Sequence, residues 1–216
     1  TQIMKISLAG ACSLLLTIFF FQCTQPVPGS GGLPPGDADN GGLYLPGNFE
    51  AVVVADSIGG ARHLAINDNG DIYVKLRRTG PEGGNVAMRD TDGDGKADII
   101  KKFGDYTDDE SYGTAMRIHD GYIYFSTPGV VYRNKLTEGE LVPQSKIEVV
   151  LTDDFRNDTF GYNHIAESVA FDDKGNMYVP FGSPSDVCQT FDRIPESPGV
   201  EPCPQLAEHA GIWKFD

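Results

Sequence analysis

Three stretches of the chain share one pattern: an apolar strand, a short polar turn ending in glycine, then an aromatic-rich strand. They are ARHLAINDNGDIYVKL (61–76), AMRIHDGYIYFST (115–127) and AESVAFDDKGNMYVPFG (166–182). Their turn glycines, Gly70, Gly121 and Gly175, stand 51 and 54 residues apart. Asp-Asn-Gly, Asp-Gly and Asp-Lys-Gly are hairpin chemistry, because glycine accepts positive φ without a Cβ clash. Between these units lie further strand candidates, GNVAMRD, ADIIKKFG, VVYRNKL and KIEVVLTD, with EAVVVAD ahead of the first and GIWKFD at the end. No stretch holds a helical period over a dozen residues.

Short strands in fours, repeating about every fifty residues, are the signature of β-propeller blades. A β-sandwich with coincident turn spacing is the alternative. From Leu43 to Asp216 there is room for about three to three and a half blades, whereas closure needs four or more. The expectation is therefore an all-β, partial propeller, truncated before its ring closes. Such a piece exposes an open edge, and it is expected to fold poorly and to be inactive alone.

The N-terminus changes the picture of where the chain works. Met4 and Lys5 precede a largely apolar run from Ile6 to Phe21, short for a membrane span of roughly 20 residues but sufficient for a secretory signal. Cys23 follows at once, which reads as a lipoprotein signal spanning 1–23. Ordinary signal cleavage and a retained anchor are the alternatives, since Gln22 is an awkward residue at a lipoprotein cut. Residues 24–42 are Pro-, Gly- and Asp-rich with few apolar side chains, a composition that reads as a disordered tether. The folded part is then 43–216. Export to the periplasm or the outer membrane or cell surface is expected, with membrane contact only through an N-terminal lipid.

The net charge of −14, from 31 acidic and 17 basic residues, argues against a nucleic-acid partner. Of four cysteines, only Cys188 and Cys203 belong to the folded part. In an exported chain they most simply form one disulfide, two free thiols being the alternative.

DTDGDGKAD places Asp90, Asp92, Asp94 and Asp98 at loop positions one, three, five and nine, with Gly95 at six. That matches the start of a calcium loop, where alternate carboxylates converge on a hard cation. Lys101 stands where an EF-hand needs its bidentate Glu, and the flanks are strand-like. The loop therefore reads as a calcium-type strand connection with a structural role, or as a solvated acidic turn.

Among His63, His119, His164 and His209, the position of His164 is distinctive. It follows a polar aromatic loop, TFGYN, and precedes a repeat strand. In a propeller a residue entering the innermost strand faces the channel mouth.

LYLPGNFEAVVVAD, GGARHLAINDNGDIYV, RDTDGDGKAD, HDGYIYFST, NHIAESVAFDDKGNMYVPFGSPSDVC and HAGIWKFD, taken in order, resemble the sorbosone/glucose dehydrogenase family. The resemblance runs through 43–216. It implies an exported six-bladed propeller dependent on pyrroloquinoline quinone (PQQ) and calcium, oxidising a sugar or related alcohol or aldehyde and passing electrons to an external acceptor. His164 stands where the family's basic His would, and a neutral imidazole can take a hydroxyl proton at working pH. Arg62, at the start of the first repeat, either faces the channel and binds an acid group of the cofactor or makes an interblade salt bridge. Two departures stand out. Glu167 occupies a place where relatives carry a basic residue, and the family's Arg-Asn segment and cofactor-site calcium ligands belong to later blades. A non-catalytic propeller binding a glycan or protein partner is the competing function; a calcium-dependent hydrolase or lactonase is a third.

Overall fold

The computed structural model describes residues 32–106, 115–153, 164, 168–207 and 209–216. The signal segment with Cys23, residues 24–31 of the tether and Glu167 lie outside the described residues. The described strands form three antiparallel sheets. In the first, β1 (Ala61–Ile66), β2 (Ile72–Gly80), β3 (Gly83–Arg89) and β4 (Ile99–Phe103) pair in sequence order. The second repeats this with β5 (Met116–His119), β6 (Tyr122–Thr127), β7 (Val130–Lys135) and β8 (Glu148–Thr152). The third has β9 (Ala170–Phe171), β10 (Met177–Phe181) and β11 (Gly211–Phe215). Gly70, Gly121 and Gly175 take φ of 90°, 73° and 85° in the hairpins that open the sheets, the left-handed conformation that makes glycine the economical choice there.

The sheets stack in series. Tyr73, Ala87 and Phe103 of the first meet Met116, Ile123, Phe125 and Tyr132 of the second. Tyr124 and Val131 of the second meet Met177, Val179 and Phe181 of the third. Adjacent residues on β6, Tyr124 and Phe125, thus enter different cores, as the two-residue period of a strand requires. A two-layer sandwich buries one face of each sheet; here the middle sheet is buried on both, and β1 packs against β5. The all-β partial propeller expected from the repeat is the fold observed, with blades of four, four and three strands.

EAVVVAD (50–56) is not a strand. It runs extended beside the first blade through isolated hydrogen bonds: Val53 N–H donates to Asp37 Oδ2 (2.8 Å) and Ala97 N–H to the Val54 carbonyl (2.9 Å). Its apolar side chains have another use, since Ala55 with Ile58 covers Val74, Leu76, Val86 and Met88. Residues 34–42, which composition assigns to the tether, share in this packing: the Asp37 amide donates to the Ala51 carbonyl (2.8 Å), and Lys96 Nζ lies 2.7 Å from Asp37 Oδ1.

At the Gly70 end of the first blade, Asp71 is 1 % exposed and bound by Arg89 through both oxygens, each at 2.7 Å. The Arg89 hydrogen bond holds the Asp71 carboxyl below the usual carboxylate range. A depressed folded pKa contributes stability above the unfolded value of about 3.9, lost as pH falls through the folded one. Asp71→Asn is expected to cost about 3 kcal/mol at neutral pH. Urea melts of the variant and the parent should converge as the buffer is taken below pH ~4; a gap that persists unchanged in acid would refute this role.

Candidate functional site

Each blade has two ends. β1 runs towards the Gly70 turn and β3 runs the same way into the acidic loop, so Asp71 and Arg89 can meet there. His164 precedes β9, at the end opposite the Gly175 turn, and the close approach of Gly182, just past β10, confirms that placement. His164 and the acidic loop therefore occupy opposite ends of their blades.

His164 has φ of +59°, and its carbonyl lies so close to Gly182 that a Cβ there would fall 1.5 Å from its oxygen. Its Nε2 lies 2.6 Å from Asp186 Oδ1. Asp186, 17 % exposed, also accepts from Arg193 Nε through Oδ2. The His164 hydrogen bond, followed by that of Arg193, holds the Asp186 carboxyl below its ordinary range. An ionised carboxylate can only accept, so Nε2 carries a proton, which in the neutral tautomer places the lone pair on Nδ1. The ring is 55 % exposed. One ring nitrogen is thus anchored on Asp186 while more than half of the side chain is exposed.

The remaining imidazoles are placed differently. His119 stacks on Phe171 with centroids 4.2 Å apart. His209 is buried beside Phe181, with Asp153 Oδ1 3.4 Å from Nε2. Burial first, and then the charges of Arg117 and Arg62, hold His63 below the ordinary imidazole range. Arg62 thus belongs to a cationic group on the inner strands β1 and β5, beside a cavity of about 320 Å³ lined by Ala61, Arg62, His63, Leu64 and Val74. It lies on a different blade from His164.

The acidic loop brings Asp90, Asp92 and Asp98 together, with one oxygen of each within 4.8 Å of the others. Asp94 is turned aside and accepts from the Lys96 amide at 2.7 Å. Asp90 accepts the Gly93 and Gly95 amides (2.7 and 2.8 Å), and Asp98 accepts both the amide and the hydroxyl of Thr91. If the loop takes calcium, adding the ion should raise the melting temperature of the parent and not that of Asp90→Ala. An equal calcium effect on both proteins would remove the site.

Cys188 and Cys203 form a disulfide with Cα atoms 6.0 Å apart. The loop it closes carries Arg193 to Asp186. Its base rests on buried Gln205, whose Oε1 accepts from Ser183 and Ser185 at 2.9 Å each. Asp186, Arg193, Gly182 and Arg117 escaped the sequence reading. Only the Cys188–Cys203 bracket signalled that this connection was built.

No family model matches the chain, and no curated protein matches it. Among solved structures it is similar to the holo form of the PQQ domain of pyranose dehydrogenase from Coprinopsis cinerea. That likeness has 14% identity and a TM-score of 0.50, covering 62% of this chain and 30% of that one. It is also similar to two Trichoderma reesei structures of Carbohydrate-Active Enzymes Family AA12. The calcium structure shows 14% identity and a TM-score of 0.56, over 76% of this chain and 37% of that one. The iodide structure shows 16% identity and a TM-score of 0.54, over 81% and 42%. At these identities the likeness is one of fold. The chain spans less than half the length of the structures it matches.

Proposed function

We propose that this chain carries the first blades of an exported, PQQ-dependent sugar dehydrogenase of the sorbosone or glucose type, with His164 as its general base. The observation that carries the reading is the His164–Asp186 pair, 2.6 Å apart, at the strand-entry end of a blade in a chain whose fold is similar to that of a PQQ domain. When bound, the quinone would accept the hydride from the carbinol carbon. The chain's own part is the proton: Asp186 keeps Nε2–H engaged, so the sugar hydroxyl can give its proton to Nδ1. The cationic group fits a polyacid cofactor, because Arg62 and Arg117 bring enough positive charge to the inner strands to act on His63; these two side chains would hold its carboxylates. The Cys188–Cys203 bond agrees with an oxidising compartment, which supports export; Cys23 is proposed to carry the lipid.

The test uses the protein carrying this segment together with its later blades, loaded with PQQ and calcium. Dye reduction with an aldose is expected, falling about 10²–10⁴-fold in His164→Asn. Sugar binding without dye reduction would instead favour a non-catalytic propeller. Full activity in His164→Asn would remove the imidazole from the reaction.

A further inference from the structure

Among the described residues, the imidazole of His164 has little packing to orient it. Gly182 approaches its backbone rather than its ring, and more than half of the side chain is exposed. The ring's direction therefore depends on Asp186, and a carboxylate on a single bond can turn. Here it is held from its second oxygen: Oδ1 faces His164 and Oδ2 faces Arg193. Arg193 is 70 % exposed and buries little of its own surface, so packing does not explain its placement. Its φ is +57°, a conformation uncommon for non-glycine residues, which persists where surrounding structure imposes it. That surrounding structure is visible. The Cys188–Cys203 disulfide closes the loop, the Gln189–Gly199 bridge pairs its two arms, and the Phe191 amide donates to Ser197 Oγ at 2.9 Å. Beside Arg193, Asp192 Oδ1 accepts the Val187 amide at 3.2 Å, tying the loop back to the residue after Asp186.

We propose that Arg193 is a positioning residue for His164: presented by the disulfide-closed loop, it pins Asp186 so that the carboxylate fixes the imidazole with Nδ1 open to substrate. The base role of His164 rests on the function proposed above; the clamp itself does not. The arrangement makes the loop part of the reacting centre's geometry rather than only a staple of a long connection. It also ties that geometry to the oxidation state of two cysteines, since opening the bond frees the segment that holds Arg193 in its unusual conformation.

The test is proton and nitrogen magnetic resonance of the protein carrying this segment together with its later blades, without PQQ and labelled in its histidines, with signals assigned by His164→Asn. The parent is expected to show a downfield Nε2–H proton for His164, protected from exchange by its hydrogen bond to Asp186. In Arg193→Gln that proton should exchange at least about tenfold faster, as it should in Asp186→Asn, because a clamped bond has become a transient one. Arg193→Lys, which restores a cation to Oδ2, should recover most of the protection. The Cys188→Ser/Cys203→Ser double variant should behave like Arg193→Gln. Parent-like exchange in Arg193→Gln, or failure of Arg193→Lys to differ from it, overturns the assignment. In the PQQ-loaded complete protein, Arg193→Gln is expected to lower kcat about tenfold to a hundredfold with KM unchanged. Absence of dye reduction with every sugar, alongside the expected exchange behaviour, would sink the dehydrogenase reading and leave the clamp standing.

Discussion

Alanine at position 182 is expected to leave the sheets intact while removing His164 from its place. A Cβ there would lie 1.5 Å from the His164 carbonyl oxygen, 2.5 Å from the carbonyl carbon and 3.1 Å from the His164 Cβ. The first is a covalent distance and the second lies far inside van der Waals contact, so one segment must move. β10 ends at Phe181 and is anchored by pairing with β11 along its length, so the yielding side is the chain at His164. That residue already has φ of +59°, which leaves its backbone few alternatives. Overpacking of this kind costs about 1–3 kcal/mol, and a displacement near 1 Å at a reacting group costs about 10²-fold in rate. The expected result is a modest fall in melting temperature with loss of the protected His164 proton and, under the function proposed above, of sugar oxidation in the complete protein. A Gly182→Ala protein with parental histidine signals would show that the close approach is not a constraint.

The largest expected loss of stability is Phe125→Ala. Phe125 is fully buried between the first two blades, its ring 5.0 Å from that of Tyr106 and 5.7 Å from that of Tyr132. Removing it deletes the aromatic contacts and leaves a cavity in a layer that both sheets share, a loss of about 3–5 kcal/mol. For a domain of this size that corresponds to a fall of roughly 6–20 °C in melting temperature. Phe191→Ala offers the control, because that ring is 65% exposed and surface changes usually stay within about 0.5 kcal/mol. Comparable melting temperatures for the two variants would mean that the interblade core does not hold the fold.

Much of this architecture was legible because turn glycines and strand alternation are local signals. Gly70, Gly121 and Gly175 marked the hairpins, and VVYRNKL and KIEVVLTD became β7 and β8. What the sequence hid was non-local. EAVVVAD has the composition of a strand, but among the described residues it joins no sheet, and its Ala55 packs on the first blade's outer face. Lys75 sits mid-strand and yet is fully buried, its Nζ donating to the Leu76 carbonyl at 2.6 Å and lying over the Tyr106 ring. Nothing in a two-residue period foretells that.

The candidate site was half legible for the same reason. His164 stood out by its place before a repeat strand. Its carboxylate, Asp186, lies 22 residues on, and the two meet only because β9 and β10 return the chain to the same end of the blade. Asp90, Asp92 and Asp98 were readable because one short loop brings them together by itself.

The placement of that acidic loop at the far end of its blade separates two properties of the molecule. A strand's length, roughly 17–20 Å, lies between the two ends, about twice the distance over which salt leaves a charge perceptible. An ion captured by Asp90, Asp92 and Asp98 would therefore influence heat resistance without retuning proton affinity at the imidazole. Editing the loop for durability should leave the turnover of each intact molecule where it was.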